Sequence, residues 1–135
     1  MSTHLSVLAR NAELDALASL FDFAIMRIFT GPQPQSIGLQ ETGVLLAQLQ
    51  FNQPAFSPAH DGVIVATDIL SDPSASNDGQ AGWVRIYHAD GITPIMDGAC
   101  GCSLQGIPGE IDLASVFIVK GSVVACIAIK IGTLE

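Results

Sequence analysis

The sequence predicts an all-β fold: an antiparallel β-sandwich or jelly roll with one short N-terminal α-helix. Three observations lead there. Helical spacing of apolar residues occurs once, over residues 6–21. From residue 25 to residue 131 the apolar residues run in short stretches, several alternating with polar ones at the strand period of two. Gly, Pro, Asn and Asp breaks separate these stretches at steady intervals, which suits a sandwich rather than βαβ units. The 135 residues fit one domain, residues 1–135, with the sandwich over 25–131.

The helix comes first. Leu14, Leu17, Ala18 and Phe21 recur at helical spacing, and Leu5, Val7, Leu8 and Ala12 extend the apolar face less regularly. Ser6 is a candidate N-cap. Arg10, Glu13 and Asp15 fall away from that face, toward solvent or a partner, and Arg10 and Glu13 are spaced for a weak surface pair. Such a helix either plugs one end of the sandwich or reaches to a neighbour.

The strands follow. Ile25–Thr30 alternates, with Ile28 and Thr30 opposite Arg27 and Phe29. Gly31-Pro32-Gln33-Pro34 stops it, because proline offers no ladder donor, and a polar loop runs over residues 33–43. Val44–Phe51 puts Leu45, Ala47, Leu49 and Phe51 on one face, and Asn52-Gln53-Pro54 ends it. Val63–Thr67 is short and β-branched, and Asp72–Gly79 is a turn-rich loop. Trp83–His88 sets Trp83, Arg85 and Tyr87 against Val84 and Ile86. Ala89-Asp90-Gly91 is a hairpin signal, so Pro94–Cys102 is expected to return antiparallel. Glu110–Leu113 and Val116–Val119 are short strands, Lys120-Gly121-Ser122 turns the chain, and Val123–Ile131 closes it with Val123, Ala125, Ile127, Ile129 and Ile131 on one face.

Composition narrows function. Hydrophobic residues make up 49% of the chain and charged residues 13%, which argues against disorder and for apolar surface covered by other subunits, a homo-oligomer of two or three copies. Net charge is −8, and the basic residues Arg10, Arg27, Arg85, Lys120 and Lys130 are scattered, so no phosphate-binding patch is formed and no nucleic-acid partner is expected. The longest apolar run, Val123–Ile129, is too short to span a membrane, and Met1-Ser2-Thr3-His4 lacks the basic start of a signal peptide. A protein made in the cytoplasm, with reduced cysteines, is expected.

Residues that could carry chemistry lack the required company. Cys100 and Cys102 share a strand face, but zinc needs two further ligands and no matching pair is present. Asp72, Ser74, Ser76, Asp78 and Gly79 resemble a calcium loop loosely, yet Asn77 and Trp83 stand where the loop's Gly and bidentate Glu belong. His4, His60 and His88 are isolated, with Asp61 and Asp90 near two of them and no nucleophile motif. No catalytic residue, metal or cofactor is therefore expected. Trp83 reads as a core anchor, with a sugar platform shared with Tyr87 as the alternative.

Arg10-Asn11-Ala12-Glu13-Leu14-Asp15-Ala16-Leu17, followed by Arg27-Ile28-Phe29-Thr30-Gly31-Pro32-Gln33-Pro34, resembles a family of small virion proteins of tailed bacteriophages, in which a short helix precedes an L-R-I-Y-T-G-x-x-P strand. Thr42-Gly43-Val44-Leu45-Leu46-Ala47, Pro54-Ala55-Phe56, Gly79-Gln80-Ala81-Gly82-Trp83-Val84-Arg85, Asp90-Gly91 and Asp97-Gly98 continue the resemblance to about residue 98. Cys100, Cys102 and Phe23-Ala24 depart from it, the last replacing a Gly-rich turn. The resemblance implies a head-decoration or cement protein: a small jelly roll on the capsid surface that bridges major capsid subunits and performs no chemistry. Interface residues are then expected on the helix (Arg10, Glu13, Leu14, Leu17) and the turn after the first strand (Gly31, Pro32, Pro34). A tail or neck component, or a virion-surface carbohydrate-binding module, is the alternative.

Overall fold

The computed structural model describes residues 5–66 and 68–132; His4 and Thr67 lie outside the described residues. The chain is mostly β with one short N-terminal helix. In order it forms α1 (Val7–Ser19), β1 (Ile25–Thr30), β2 (Leu45–Phe51), β3 (Val63–Ala66), β4 (Ile69–Leu70), β5 (Gly79–Tyr87), β6 (Pro94–Gly101), a 3-10 turn (Ser103–Gln105), β7 (Ile111–Leu113), β8 (Phe117–Ile118) and β9 (Cys126–Gly132).

Ser6 caps α1, its Oγ accepting from the Ala9 amide at 3.1 Å, which satisfies one of the donors a helix start leaves open. Leu14 is 2% exposed and belongs to the core, with Leu17 and Ala18 half-buried against it. The helix thus packs on its own domain, against β3. The apolar face does not extend N-terminally as expected: Leu5, Val7 and Leu8 are exposed. Beyond the helix, Phe21 meets Phe56 edge-on at 5.1 Å and Phe51 at 5.8 Å, an aromatic cluster joining the helix end to the sheet. Phe23, where a glycine-rich turn was expected, adopts a φ of 57°, the left-handed region that disfavours a side chain.

The strands form one sheet in the order β3-β9-β7-β6-β5-β1-β2-β4, with β8 paired to the start of β5. The sheet rolls into a nearly closed barrel. Past β4, Asp72 exchanges two backbone hydrogen bonds of 2.9 Å with Val124, just before β9, so the two ends of the roll meet and little edge is left open.

Pairing is antiparallel except between β6 and β7, which run parallel through Cys100–Ile111 and Gly101–Asp112. An all-antiparallel arrangement fails there. After β6 the chain makes the 3-10 turn, pairs Ile107 back to Cys102, and crosses with Gly109 against Gly101, so β7 enters in the direction of β6. The last strand also departs from expectation. Val124 and Cys126 point inward while Val123 and Ile127 are exposed, and the phase then shifts so that Ile129 is buried. The register jumps there, Asp112 pairing with Ala128 and Leu113 with Cys126, which leaves Ile127 as the unmatched residue of a bulge in β9 itself; one unmatched residue flips every later side chain to the other face.

The barrel interior collects Met26, Ile28, Ala47, Leu49, Phe51, Ile64, Val84, Ile86, Ile111, Leu113 and Ile129. Phe29, Trp83 and Tyr87 are also buried, yet lie outside this cluster. They occupy the outer face of the sheet.

Candidate functional site

Alternation along β1 and β5 sends Arg27, Phe29, Trp83, Arg85 and Tyr87 outward. Antiparallel pairing sets Arg27 opposite Arg85, Phe29 opposite Trp83, and Arg85 opposite Asp97 of β6. Two arginines directly across a ladder repel, and each finds its own relief. Arg85 donates from Nε to Asp97 Oδ1 at 2.7 Å and from Nη2 to Oδ2 at 2.9 Å, a two-pronged ion pair with side chains 3% and 6% exposed. The hydrogen bond to Asp97 raises the pKa of the guanidinium further, so it stays charged. Arg27 lies 4.5 Å above the Tyr87 ring and donates to Gln48 Oε1 at 3.0 Å.

The rings continue this arrangement. Phe29 stacks on Trp83 at 4.8 Å with planes 21° apart, and the Arg85 guanidinium lies 5.2 Å from the Trp83 ring centre. Burial pushes the Tyr87 hydroxyl up to about 12, and the Glu41 carboxylate acts in the same direction.

This aromatic and cationic layer carries the loop 31–44. Arg85 Nη1 donates to the Leu39 carbonyl at 2.7 Å, which fastens the middle of the loop to the sheet. Its ends are fastened too: the Val44 amide donates to Thr30 Oγ1 at 2.9 Å and the Thr30 amide to the Val44 carbonyl at 3.1 Å. Two glycines permit the close approach. A Cβ on Gly43, at φ 88°, would collide with the Thr30 carbonyl, and one on Gly82 would collide with the Gly31 carbonyl. The result is a loop of defined shape presenting Ile37, Leu39 and Val44 to solvent.

The residues expected at an interface fall into two groups. Gly31 and Pro32 are exposed and Pro34 half-buried, all on this loop. Arg10 is half-buried and Glu13 exposed on α1. Leu14 is a correction: it is turned into the core and cannot meet a partner without unpacking the helix, and Leu17 is half-buried on the same side. The polar face of α1 is also partly engaged within the chain. Asp15 Oδ1 accepts from the Ala59 amide at 2.7 Å, Asn11 Oδ1 from the Gly62 amide at 2.8 Å and, past the helix, Asp22 Oδ1 from the Ala55 amide at 3.1 Å. These clamp the chain between β2 and β3, and the cleft of about 330 Å³ between helix and loop is lined by Asp15, Asp22 and Phe56.

Trp83 and Tyr87, the pair a sugar would stack on, are 0% and 3% exposed. Most of the described side chains weighed for chemistry are held otherwise or set apart. Asp72 accepts from the Gln48 and Ser74 amides, both at 2.9 Å, and Asp78 from the Lys120 amide at 2.6 Å. Asp90 accepts from Ile92 and Thr93 at the hairpin tip, and these bonds lower it to about 2. His60 pairs with Asp61 at 3.2 Å in open solvent. Cys100, Cys102 and Cys126 are free and buried, and burial pushes the Cys100 and Cys126 thiols up to about 12. Among the described residues no group of His, Cys, Asp or Glu is arranged to hold a metal ion, and no helix is long and apolar enough to cross a membrane.

Asp97 and Leu39 are the site residues that sequence reasoning missed. Asp97 was detectable: residues equidistant from Gly91 pair across a hairpin, which places it opposite Arg85. Nothing local marks Leu39, whose contribution is a backbone carbonyl. No protein-family model, curated protein or solved structure matches the chain.

Proposed function

We propose that the protein is a structural component of a tailed-phage virion, a decoration protein that binds the outer shell of the head and bridges major capsid subunits. The reading rests on one spatial fact. Several of the segments that carry the resemblance come together: Arg27–Pro34, Thr42–Val44, Gly82–Arg85 and Asp97 build the loop 31–44 and the layer beneath it, while the helix segment Arg10–Leu17 packs on β3. These segments converge not on a cluster of reactive groups but on an exposed loop with apolar tips, fastened at its ends and middle.

Such a loop suits repetitive assembly. Pre-ordering lowers the entropy lost on docking, and many identical weak contacts over a symmetric shell sum to tight attachment. The rolled sheet serves here as the compact scaffold that a jelly roll provides in the resembled proteins. A carbohydrate-binding role has no platform, since both candidate rings are buried.

Mass spectrometry of purified virions and co-sedimentation with emptied capsids test the proposal. The protein is expected in many copies per particle. Replacement of Ile37 and Leu39 by Asp should abolish co-sedimentation without lowering Tm, because both side chains are exposed. Absence from virions would overturn the reading, and a copy number matching one small ring would move the protein to the neck or tail.

A further inference from the structure

We infer that the face formed by β8 and the turns beside it is a two-fold interface with a second copy of this chain. It goes beyond the proposed virion role and does not depend on it.

Leu104, Phe117, Val119 and Val123 are 78%, 60%, 63% and 67% exposed. They are neighbours. Gln105 ties the 3-10 turn to the β8 approach, donating from Nε2 to Ser115 Oγ at 3.0 Å and accepting from the Val116 amide at 3.2 Å. The Ser122 amide and hydroxyl both donate to the Val119 carbonyl, at 2.9 and 2.6 Å, which brings Val123 round beside β8. Together the four side chains present on the order of 400 Å² of apolar surface, within the range where the largest patch of a monomer is often functional. A standard interface takes about 800 Å² from each partner, so the patch supplies an apolar centre and the exposed Gln105, Gly121 and Ser122 a polar rim.

Shape and charge select a second copy as occupant. Phe117 and Val123 stand at the rim of a depression of about 60 Å³ that also takes in Ala114, Ile118 and Val124. A projection beside a recess is the self-complementary arrangement that a two-fold axis needs, each copy filling the other's recess. The chain carries −8 overall, so copies repel unless they meet where carboxylates are few. Leu20 and Phe23 flank Asp22, and Leu70 follows Asp68, so contact there would bring like charges together. At the β8 face the side chain within the patch is Lys120, the exposed cation among the described side chains, and Asp78 lies beside it. Across a two-fold axis Lys120 can meet the partner's Asp78.

Sedimentation velocity of the full chain over a concentration series tests this. The wild type is expected at the mass of two copies. Phe117→Glu and, separately, Val123→Asp should each weaken dimerisation at least tenfold while circular dichroism and Tm stay those of a folded chain. Ile92→Glu, on an exposed residue at the β5–β6 hairpin, should leave the dimer intact. A wild type that stays monomeric at millimolar concentration overturns the proposal, as does a dimer indifferent to both patch variants or equally dissolved by Ile92→Glu. A mass of three copies overturns the two-fold axis. Loss of dimerisation in a variant that still binds capsids would leave the virion reading standing by itself.

Discussion

Asp97→Ala tests the loop platform most directly. It removes the carboxylate that receives two hydrogen bonds from Arg85, at 2.7 and 2.9 Å. Because the two side chains are 3% and 6% exposed, solvent cannot take over. The discount applied to surface ion pairs therefore does not apply. Leaving one charge of a buried pair uncompensated costs about 3–5 kcal/mol. For a chain of this size that lowers Tm by roughly 10–15 °C. Urea denaturation followed by circular dichroism reads the stability. Trp83, the single tryptophan, reads the site, since its ring lies 5.2 Å from the Arg85 guanidinium. Its emission should shift to the red in the folded variant. The paired change Arg85→Met with Asp97→Leu should recover most of the loss, to within about 1–2 kcal/mol of wild type, since no buried charge is left and only the cation–π contact is gone. The Leu39 carbonyl, on an exposed loop, then turns to water. A cost below about 1 kcal/mol for Asp97→Ala, or a double variant worse than either single one, would refute the assignment of this pair as the anchor of the loop.

Other outcomes follow from the same geometry. Trp83→Ala should cost about 3–5 kcal/mol because the ring is fully enclosed; a melting shift of a degree or two would show that the layer is dispensable. Leu14→Ala should cost about 2–5 kcal/mol, and deletion of residues 1–20 should unfold the chain; a folded, stable deletion product would return the helix to the role of an arm. The three buried thiols should resist a thiol reagent at pH 8 and all react once the chain is denatured; rapid labelling of the native protein would contradict their burial. Asp90 is held at about 2, below its ordinary value, so its contribution is present above the unfolded value near 4 and is lost as pH falls toward 2. Asp90→Asn should therefore flatten the acid limb of the stability profile, and an unchanged limb would assign that acid loss to other carboxylates.

The sequence alone determined the parts governed by local periodicity and turn chemistry. The helix with its Ser6 cap, the two faces of β1 and β5, and the β5–β6 hairpin about Gly91 lie where residue spacing puts them. Each depends on neighbours a few residues away, so the pattern is complete within the segment. Three features were decided only by the tertiary structure. The β6–β7 pair runs parallel because Gly101 and Gly109 let two backbones touch, a constraint that neither glycine announces by itself. The last strand changes phase because it carries one residue, Ile127, that its partner β7 does not match. Trp83, read from the sequence as a core anchor, is buried on the outer face of the sheet rather than in the barrel interior, beside Arg85, which fastens a distant loop through the Leu39 carbonyl. Burial and register across the sheet depend on which segments meet, and that is settled by the energy of the whole packed chain rather than by any stretch of it.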